Sequence, residues 1–421
     1  MAKTASKAKQ VQQSNSIHQL VVGKIDYYFL LLIVSMCLFG LFILLSASSY
    51  ESEKLTKQPQ TFFLTQALAM LIGMFLMFMM ANFDYRLLRK LGWIFSIFAL
   101  VCLILVDFSP LGITSGGSQR WLSLGPLSFQ PSEIAKISCL ILMADGLSKY
   151  RWNSANVLQR VVLCLLIAGL ILKEPDLGTA VLVLSSCACL LIAAGLNLGI
   201  AFATALVGVG GIYLSIMNNP YQLNRFMGWL APERDPLNTG YNLLQSYYAI
   251  GSGGIFGLGY GQSIQKLGYL PISYADFIFA IICEELGIIG CFMVLFFFLN
   301  LLWKGTDIAL KVPGNFGKLL GIGIISSLCI QAIFNLGGVV GLLPVTGMPL
   351  PLISYGKTSV VVVGFMLGIL LNISRHKLVK VNPLKVNPQG KQIPQPHSRE
   401  EKILSKNLRS SDQALNFVTI K

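Results

Sequence analysis

Residues 268–287 read Gly-Tyr-Leu-Pro-Ile-Ser-Tyr-Ala-Asp-Phe-Ile-Phe-Ala-Ile-Ile-Cys-Glu-Glu-Leu-Gly, an apolar stretch that contains the acidic residues Asp276, Glu284 and Glu285. A carboxylate in hydrocarbon is costly unless it is paired or hydrated, so such residues line bundle interiors or aqueous cavities and are functional candidates. A helix turns by roughly 100° per residue, which places Glu284 about 80° from Asp276 and Glu285 nearly opposite. We therefore expect Asp276 to open a helix and to share a cavity with Glu284, and Glu285 to pair with a neighbouring helix.

The rest of the chain has the composition of a membrane protein. Of its 421 residues, 54% are hydrophobic and 12% are charged, and the mean hydropathy is +0.67. Continuous apolar runs of roughly 20 residues, the length that crosses ~30 Å of hydrocarbon, predict spanning helices rather than strands. We expect ten of them, at 27–47, 62–81, 90–108, 131–148, 158–173, 177–195, 198–217, 274–302, 317–342 and 352–373. The predicted fold is therefore an all-α polytopic membrane protein with about ten transmembrane helices, and a soluble domain is excluded.

The basic residues predict the orientation of these helices. If both termini are cytoplasmic, 23 of the 32 Lys and Arg residues lie in cytoplasmic segments and 8 lie in outer loops, as the positive-inside rule requires. The net charge of +14 then reflects topology and contact with anionic membrane lipids. Nucleic-acid binding is not expected, because the basic residues are scattered over short loops.

The polar regions divide the chain into a membrane domain, residues 26–375, and two cytoplasmic tails, 1–25 and 376–421, which we expect to be disordered. The outer segment 109–130 alternates around Gly125-Pro126 and predicts a small hairpin. The outer segment 218–273, between the seventh and eighth helices, starts with an amphipathic stretch. Its glycine-rich part has neither a preceding strand nor a following Gly-Lys-Ser/Thr, so a close-packed re-entrant segment is favoured over a phosphate loop.

The cysteines and histidines exclude several kinds of site. All nine cysteines lie in apolar runs and are predicted to act as small hydrophobic residues rather than to form disulfides. The histidines, His18, His376 and His397, lie in or beside the cytoplasmic tails. We therefore expect neither a histidine base nor a histidine–metal centre at the outer face, and no metal ligands are predicted.

The fourth predicted helix contains a second charged pair. Pro131 suits the first helical position, and Glu133 and Lys136 are three residues apart on one face. The pair is interpreted either as an ion pair that stabilises the bundle or as a site where Lys136 presents its charge to an anionic ligand. Asp176, at the start of the sixth helix, is either an N-terminal cap or the third member of the same network.

Three outer residues next to these helices are candidates for substrate contact. Arg120 and Arg225 carry planar guanidinium groups suited to phosphate oxygens, although a solvated loop charge is the alternative for Arg225. Trp121 is either a ligand contact or an interfacial anchor. Asp276 has an alternative too, because a carboxylate at a helix N-terminus also stabilises the helix dipole.

Four segments together resemble the SEDS family (shape, elongation, division and sporulation). They are Arg120-Trp-Leu-Ser-Leu-Gly-Pro-Leu-Ser-Phe-Gln-Pro-Ser-Glu-Ile-Ala-Lys136, Glu174-Pro-Asp-Leu-Gly-Thr-Ala180, residues 241–261, and Leu343-Pro-Val-Thr-Gly-Met-Pro-Leu-Pro-Leu-Ile-Ser-Tyr-Gly356. The resemblance covers residues 25–375, and the last segment is more similar to the division members than to the elongation members. Ser354 and Tyr355 in that segment are further candidates for substrate binding.

The resemblance implies a ten-helix peptidoglycan glycosyltransferase that polymerises lipid II outside the cytoplasmic membrane. It also implies a class B penicillin-binding transpeptidase and other divisome membrane proteins as partners, and it assigns the catalytic aspartate to Asp276. Two dipeptides depart from the family pattern, since Tyr274-Ala275 stands where His-Thr is usual and Gly356-Lys357 where Gly-Gly is usual. The first departure removes a histidine beside the aspartate, and the second adds a cation.

The chemistry that the family implies needs only one acidic residue. A sugar hydroxyl attacks an anomeric carbon whose lipid-diphosphate leaving group departs without a proton, so a single general base is sufficient, unlike the two carboxyl groups of glycosidases. Arg120, Lys136 and Arg225 are candidates to stabilise the departing charge, and a divalent cation, Mg²⁺ or Mn²⁺, is the one cofactor considered. The alternatives are a lipid II flippase or transporter and a non-catalytic scaffold for the transpeptidase.

Overall fold

The computed structural model describes residues 17–115, 118–124, 127–150 and 154–381. The rest of the two predicted tails, residues 1–16 and 382–421, and the predicted turn at Gly125-Pro126 lie outside the described residues. Within the segments predicted to be disordered, strand β1 (Ile17–Val22) pairs with strand β5 (His376–Val381) in a two-stranded sheet. The polar composition of these segments did not predict that pairing.

The described residues contain ten long helices in the order that the sequence predicts. They are α1 (Tyr27–Ala47), α3 (Thr61–Asn82), α4 (Leu88–Phe108), α5 (Pro131–Lys149), α6 (Ala155–Lys173), α7 (Leu177–Ala193), α8 (Leu198–Asn218), α11 (Ile278–Lys311), α12 (Asn315–Val339) and α13 (Lys357–Arg375). Three shorter helices, α2 (Ser49–Thr56), α9 (Pro220–Leu230) and α10 (Tyr241–Gly253), lie between them. The prediction of an all-α polytopic membrane protein is confirmed; the cytoplasmic position of both termini stays a prediction.

Local sequence sets the starts of these helices. Asp26, Ser154 and Asp176 each accept a hydrogen bond from the backbone N–H three residues later, at the starts of α1, α6 and α7. Such caps satisfy backbone donors that the first turn of a helix leaves without partners. Pro131 begins α5, as its missing N–H and fixed φ favour.

The outer segment 109–130 forms a three-stranded antiparallel sheet. Strand β2 (Gly112–Ser115) pairs with β3 (Ser118–Leu124), which pairs with β4 (Leu127–Phe129). The predicted hairpin, β3–β4, is therefore present, and β2 extends it. Leu122 packs with Cys102 and Val106 of α4, which fixes the sheet to the helical bundle.

The glycine-rich part of the segment 218–273 packs against an interruption in α11. Gly287 has non-helical angles, with φ 63° and ψ −153°. The backbone N–H of Ile288 donates to the carbonyl of Gly254 (3.0 Å), and that of Leu258 donates to the carbonyl of Glu284 (2.9 Å). The interrupted helix and the non-helical segment therefore satisfy each other's backbone groups, as a water-poor environment requires.

Glycines allow α13 to lie directly against α3. A side chain at Gly364 would overlap the backbone carbonyl of Gly73, and one at Gly368 would come within 2.6 Å of the carbonyl of Met77. Small residues at a spacing of four let the backbones of membrane helices approach closely and gain van der Waals contact. The contact between these two helices therefore depends on the absence of side chains at these positions.

We predict that Gly364→Val lowers the free energy of unfolding by about 1–3 kcal/mol or more, because the new side chain forces α3 and α13 apart. Gly169→Val in α6 is the matched control, since nothing lies within 4 Å of a side chain at Gly169. Thermal unfolding of both variants in detergent, compared with the wild-type protein, measures the difference. Equal transition temperatures for the two variants would contradict the tight α3–α13 contact.

Candidate functional site

Asp276 lies in the turn that precedes α11, not in the helix itself. The helix begins at Ile278, whereas the N–H of Asp276 donates to the carbonyl of Ile272 (3.3 Å) in the preceding turn. The expectation that Asp276 opens a helix is therefore wrong. Ile272 has a positive φ of 53°, a strained conformation for a β-branched residue, which turns the chain just before the aspartate.

The side chains of Asp276 and Arg225 both lie beside Gly347. A Cβ atom at Gly347 would lie 3.4 Å from Asp276 Oδ2 and 3.4 Å from Arg225 Nη1, so both groups face the same small space. Gly347 has a φ of 75°, which glycine adopts without cost. Its missing side chain leaves room for a carboxylate and a cation from two distant segments of the chain.

Arg225 is available to a ligand. It belongs to the amphipathic helix α9, and its guanidinium group stacks over the ring of Tyr221 at 4.8 Å. Among the described residues, no hydrogen-bond acceptor or ion-pair partner contacts this guanidinium group. A planar cation that is fixed by stacking and keeps its donors free is suited to phosphate oxygens.

The environment of Asp276 favours the protonated form of its carboxyl group. Burial raises the pKa of Asp276, the guanidinium groups of Arg225 and Arg120 oppose this rise, and the carboxylate of Asp176 adds to it. A raised pKa makes the ionised form of a carboxylate a better proton acceptor. Asp276 thus has the electrostatic setting of a general base.

Two amides of α12 hold the backbone around this space. Asn335 donates from Nδ2 to the carbonyls of Asp276 (2.9 Å) and Met348 (2.8 Å). Gln331, one turn earlier, donates from Nε2 to the carbonyl of Pro349 (2.8 Å). The two side chains share a face of the helix, and together they fix the turn of Asp276 to the extended segment 343–356.

Lys136 is satisfied within the bundle. Its Nζ donates to Glu133 Oε2 (2.9 Å) and to Gln331 Oε1 (3.0 Å), and Lys136 is almost fully buried. These contacts support the ion-pair interpretation of Glu133 and Lys136 rather than the presentation of a cation to a ligand. The pair also orients Gln331, and thereby supports the segment 343–356.

Arg120 binds the turn between α6 and α7. Its Nε donates to the carbonyl of Glu174 (3.2 Å), its Nη2 donates to that of Pro175, and its Nη1 lies 3.9 Å from Asp176 Oδ1. Asp176 caps α7 at Thr179 and accepts a hydrogen bond from Gln130 (3.1 Å). Asp176 therefore acts as a cap, and no contact joins it to Glu133 and Lys136 in the three-membered network that the sequence suggested.

Three other candidates have structural contacts. Trp121 is half-buried and pairs with Ile113 across the β2–β3 ladder. The hydroxyl of Ser354 accepts a hydrogen bond from the N–H of Leu350 (2.9 Å), and Ser354 is buried. Tyr355 is half-buried, and its hydroxyl oxygen lies 3.3 Å from the hydroxyl oxygen of Thr65.

The unusual Tyr274 packs against Tyr355. The rings of Tyr274 and Tyr355 meet edge to face at 5.5 Å, and Phe62 contacts both. The N–H of Tyr355 also donates to the carbonyl of Tyr274 (3.0 Å). Burial raises the pKa of Tyr274 to about 12, so this residue is a neutral aromatic support for the turn of Asp276 and not an acid–base partner. Lys357, the cation of the second unusual dipeptide, is exposed at the start of α13.

Glu284 does not face Asp276. Its carboxylate accepts hydrogen bonds from the hydroxyl of Ser263 and from the N–H of Ile264 (2.9 Å). The prediction that Asp276 and Glu284 share a cavity is wrong. Asp276 precedes the helix, so the angle of about 100° per residue cannot be used to place it relative to Glu284. Glu285 pairs with Lys266 (2.8 Å) in the outer segment, and it also accepts a hydrogen bond from Ser46 of α1 (2.6 Å).

Sequence reasoning missed Glu174 and Gly347. Burial, with the charges of Asp176 and Asp107, raises the pKa of Glu174 to about 9 against the effect of Arg120. Among the described residues neither oxygen of its carboxyl group has a hydrogen-bond partner, and both features favour the neutral form of Glu174 at pH 7. In the sequence, Pro175 and Asp176 predicted the turn, but nothing predicted that the neighbouring Glu174 would be buried. Gly347 has no side chain from which a role could be predicted.

Comparisons with known proteins extend over nearly the whole bundle. A family model for FtsW, RodA and SpoVE, described as a cell cycle protein, matches residues 27–378. Stage V sporulation protein E of Bacillus subtilis (strain 168) is 37% identical over 353 residues, which is 82% of this chain and 96% of that protein. The probable peptidoglycan glycosyltransferase FtsW of the same organism is 37% identical over 379 residues, 86% of this chain and 94% of that protein.

Two solved structures share the architecture. One is a chain of a peptidoglycan synthase complex that coordinates polymerization and crosslinking; it has a TM-score of 0.70 and 29% identity, covering 83% of this chain and 98% of that one. The other is the rod shape determining protein RodA of Thermus thermophilus, with a TM-score of 0.63 and 27% identity, covering 83% of this chain and 97% of that one.

We predict that Glu133→Gln and Lys136→Met each lower the free energy of unfolding by about 3–5 kcal/mol, because each leaves a buried charge without its counter-ion. The double variant removes both charges and should recover much of this loss. Thermal unfolding in detergent measures all three, with Lys311→Met, which breaks an exposed ion pair with Asp307, as the control. A stable Lys136→Met protein with weakened substrate binding would instead support the ligand interpretation.

Proposed function

Because the chain belongs to the FtsW/RodA/SpoVE family, we propose that it is a peptidoglycan glycosyltransferase that polymerises lipid II at the outer face of the cytoplasmic membrane during cell division. The name of the Bacillus subtilis FtsW relative supports this activity. The structural observation that carries the proposal is the meeting of the Asp276 carboxylate and the free Arg225 guanidinium at Gly347. A base and a cation side by side match a reaction in which a hydroxyl loses a proton and a diphosphate departs.

Asp276 acts as the general base in this proposal. It removes the proton from the sugar hydroxyl that attacks the anomeric carbon of the second lipid-linked sugar. The bond from that carbon to the diphosphate breaks, and the leaving group departs as an anion that needs no proton. One carboxylate is therefore sufficient, and Glu284, which is held by Ser263 and Ile264, is not required for the chemistry.

Arg225 stabilises the departing diphosphate. Its donors are free, whereas Arg120 is engaged with the turn of Glu174 and Pro175, and Lys136 is engaged with Glu133 and Gln331. Arg120 nevertheless contributes long-range positive charge, because it opposes the rise in the pKa of Asp276. The three predicted cations thus divide into one that contacts the ligand and two that organise the site.

We propose that a divalent cation, where one takes part, arrives with the substrate. The described residues contain no group of three or more His, Cys, Asp or Glu side chains that could hold a metal ion. Any Mg²⁺ or Mn²⁺ would then be bound chiefly by the diphosphate.

The partner and the cellular location follow from the same relationship. The structurally similar chain belongs to a peptidoglycan synthase complex, which supports a class B penicillin-binding transpeptidase as the partner, with other divisome membrane proteins beside it. We place the protein in the cytoplasmic membrane at the division site. Helices whose outer faces are apolar would let the lipid tails of the substrate stay in the bilayer while its sugar headgroup reaches Asp276.

We predict that Asp276→Asn lowers the rate of polymer formation from purified lipid II by about 10²–10⁴-fold, the usual contribution of a general base. Asp235→Asn is the matched control, since Asp235 is partly exposed and, among the described residues, its carboxylate accepts hydrogen bonds from Asn238 and Thr239 of its own turn. The assay is run with and without the transpeptidase. Unimpaired polymer from Asp276→Asn would end the assignment, and lipid II movement across vesicles without new glycosidic bonds would support a flippase.

The pH profile tests whether the charge of Arg225 acts on Asp276. A base must be ionised, so the rate should rise with pH through the raised pKa of Asp276. Arg225→Met removes a cation that lowers this pKa, so the acid limb of the profile should move to higher pH, and KM for lipid II should increase. An acid limb that stays in place in Arg225→Met would show that the two groups do not interact.

A further inference from the structure

Five polar side chains tie the outer segment to α1 and α11. We call this set the loop clasp; it consists of Ser46, Ser263, Lys266, Glu284 and Glu285. All five are buried. The catalytic chemistry proposed above uses none of them, and the sequence assigned Glu284 to the substrate instead.

Glu284 binds the end of the glycine-rich stretch. Its carboxylate accepts hydrogen bonds from the hydroxyl of Ser263 and from the N–H groups of Ile264 (2.9 Å) and Gln265 (3.4 Å). The same hydroxyl accepts a hydrogen bond from the N–H of Lys266 (3.2 Å). One carboxylate therefore orders four consecutive residues of the outer segment.

Glu285 adds an ion pair to the same segment. Its Oε1 accepts from Lys266 Nζ (2.8 Å) and from the hydroxyl of Ser46 (2.6 Å), and Lys266 Nζ also donates to Ser46 Oγ (2.7 Å). Charge-assisted bonds in a low-dielectric interior are strong, and loss of one partner leaves an unpaired buried charge. The clasp is therefore a rigid three-way junction between α1, α11 and the outer segment.

The backbone closes at the same place. The N–H of Leu258 donates to the carbonyl of Glu284, and that of Gly259 donates to the carbonyl of Glu285 (3.1 Å). A side chain at Gly257, whose φ is 78°, would overlap the carbonyl of Glu285. The segment therefore lies directly against α11 at the level of the two glutamates.

Asp276 stands on the loop that the clasp closes. The chain leaves the clasp at Lys266, passes through Asp276 in the turn before α11, and returns to the clasp at Glu284. Both ends of this loop are thus fixed by one set of buried contacts, and Asn335 fixes its far side at the carbonyl of Asp276. Tying the two ends of a loop removes much of its conformational freedom.

We propose that Glu284, Glu285 and Lys266 are positioning residues that hold the Asp276 loop in its reactive geometry, a role that rests on the proposed glycosyltransferase function. In this role the clasp contacts neither the substrate nor the reacting atoms. It acts by fixing both ends of the loop, so that the Asp276 carboxylate stays desolvated and directed at the space beside Arg225.

The test uses full-length Lys266→Met, Glu285→Gln and the milder Ser46→Ala. We expect kcat with lipid II to fall by about 10²-fold in Lys266→Met, the scale of effect expected when a reacting group is displaced by ~1 Å, with little change in KM because Arg225 is untouched. The acid limb of the pH profile should also move to lower pH, because a loosened loop hydrates Asp276 while Arg225, Arg120 and Asp176 still face it. Partial unfolding of the sample would instead lower the rate by the same factor at every pH and leave the position of the acid limb unchanged.

Rescue and a matched control separate positioning from stability. The exchanged pair Lys266→Glu with Glu285→Lys restores opposite charges and should recover a large part of the lost kcat. Asp145→Asn disrupts another ion-pair cluster, in which the buried Asp145 binds Arg89, Lys149 and Arg160 near the far end of α5. This control should lower stability without moving the acid limb.

Hydrogen–deuterium exchange tests the loop without any assay of activity. Residues 267–277 should exchange faster in Ser46→Ala, Lys266→Met and Glu285→Gln than in the wild-type protein, and at the wild-type rate in Asp145→Asn. Unchanged exchange, or an acid limb that does not move, would overturn the positioning role even if Asp276→Asn is inactive. If instead Asp276→Asn polymerises normally while exchange increases, the assignment of Asp276 as the general base fails, the positioning role fails with it, and the clasp stands as a loop anchor only.

Discussion

The Asn335 side chain makes the interaction on which the site depends, because its single amide nitrogen joins two segments that are distant in sequence. It donates to the carbonyl of Asp276 in the turn before α11 and to that of Met348 in the extended segment 343–356. Buried backbone carbonyls away from water need such donors, since an unsatisfied one costs free energy comparable to a lost hydrogen bond. The meeting of Asp276 and Arg225 at Gly347 then follows from this fixed backbone.

The helical architecture could be predicted because hydrophobic length is a local property of the sequence. Each of the ten long helices corresponds to an apolar run, and the caps at Asp26 and Asp176 mark where two of them begin. The start of α11 was misplaced because residues 274–277 are apolar enough to continue a span, although the positive φ of Ile272 places them in a turn. Hydropathy predicts which segments can lie in the membrane, but it does not predict where the backbone turns.

The candidate site was only partly predictable, because partners in it come from distant segments. Asp276 and Arg225 were recognised as unusual charges, but their convergence depends on Gly347, which has no side chain to suggest a role. Glu284 was misassigned because a helical wheel requires both residues to belong to one helix. Glu174 was overlooked because its burial beside Asp176 and Asp107 is a tertiary property.

The buried cations of this bundle have fixed partners, whereas the partly exposed Arg225 keeps its donors available. Lys136 is enclosed, so its charge must be neutralised by Glu133 and shared with Gln331. Lys266 is enclosed in the same way by Glu285 and Ser46. Arg225 lies on the amphipathic helix α9, where Tyr221 stacks against its guanidinium group without using its donors, and a guanidinium group held in that manner is suited to phosphate oxygens. The same rule supports the proposal that Asp276, in the turn before α11, is the general base: a carboxylate inside α11 needs a permanent partner, as Glu284 and Glu285 have.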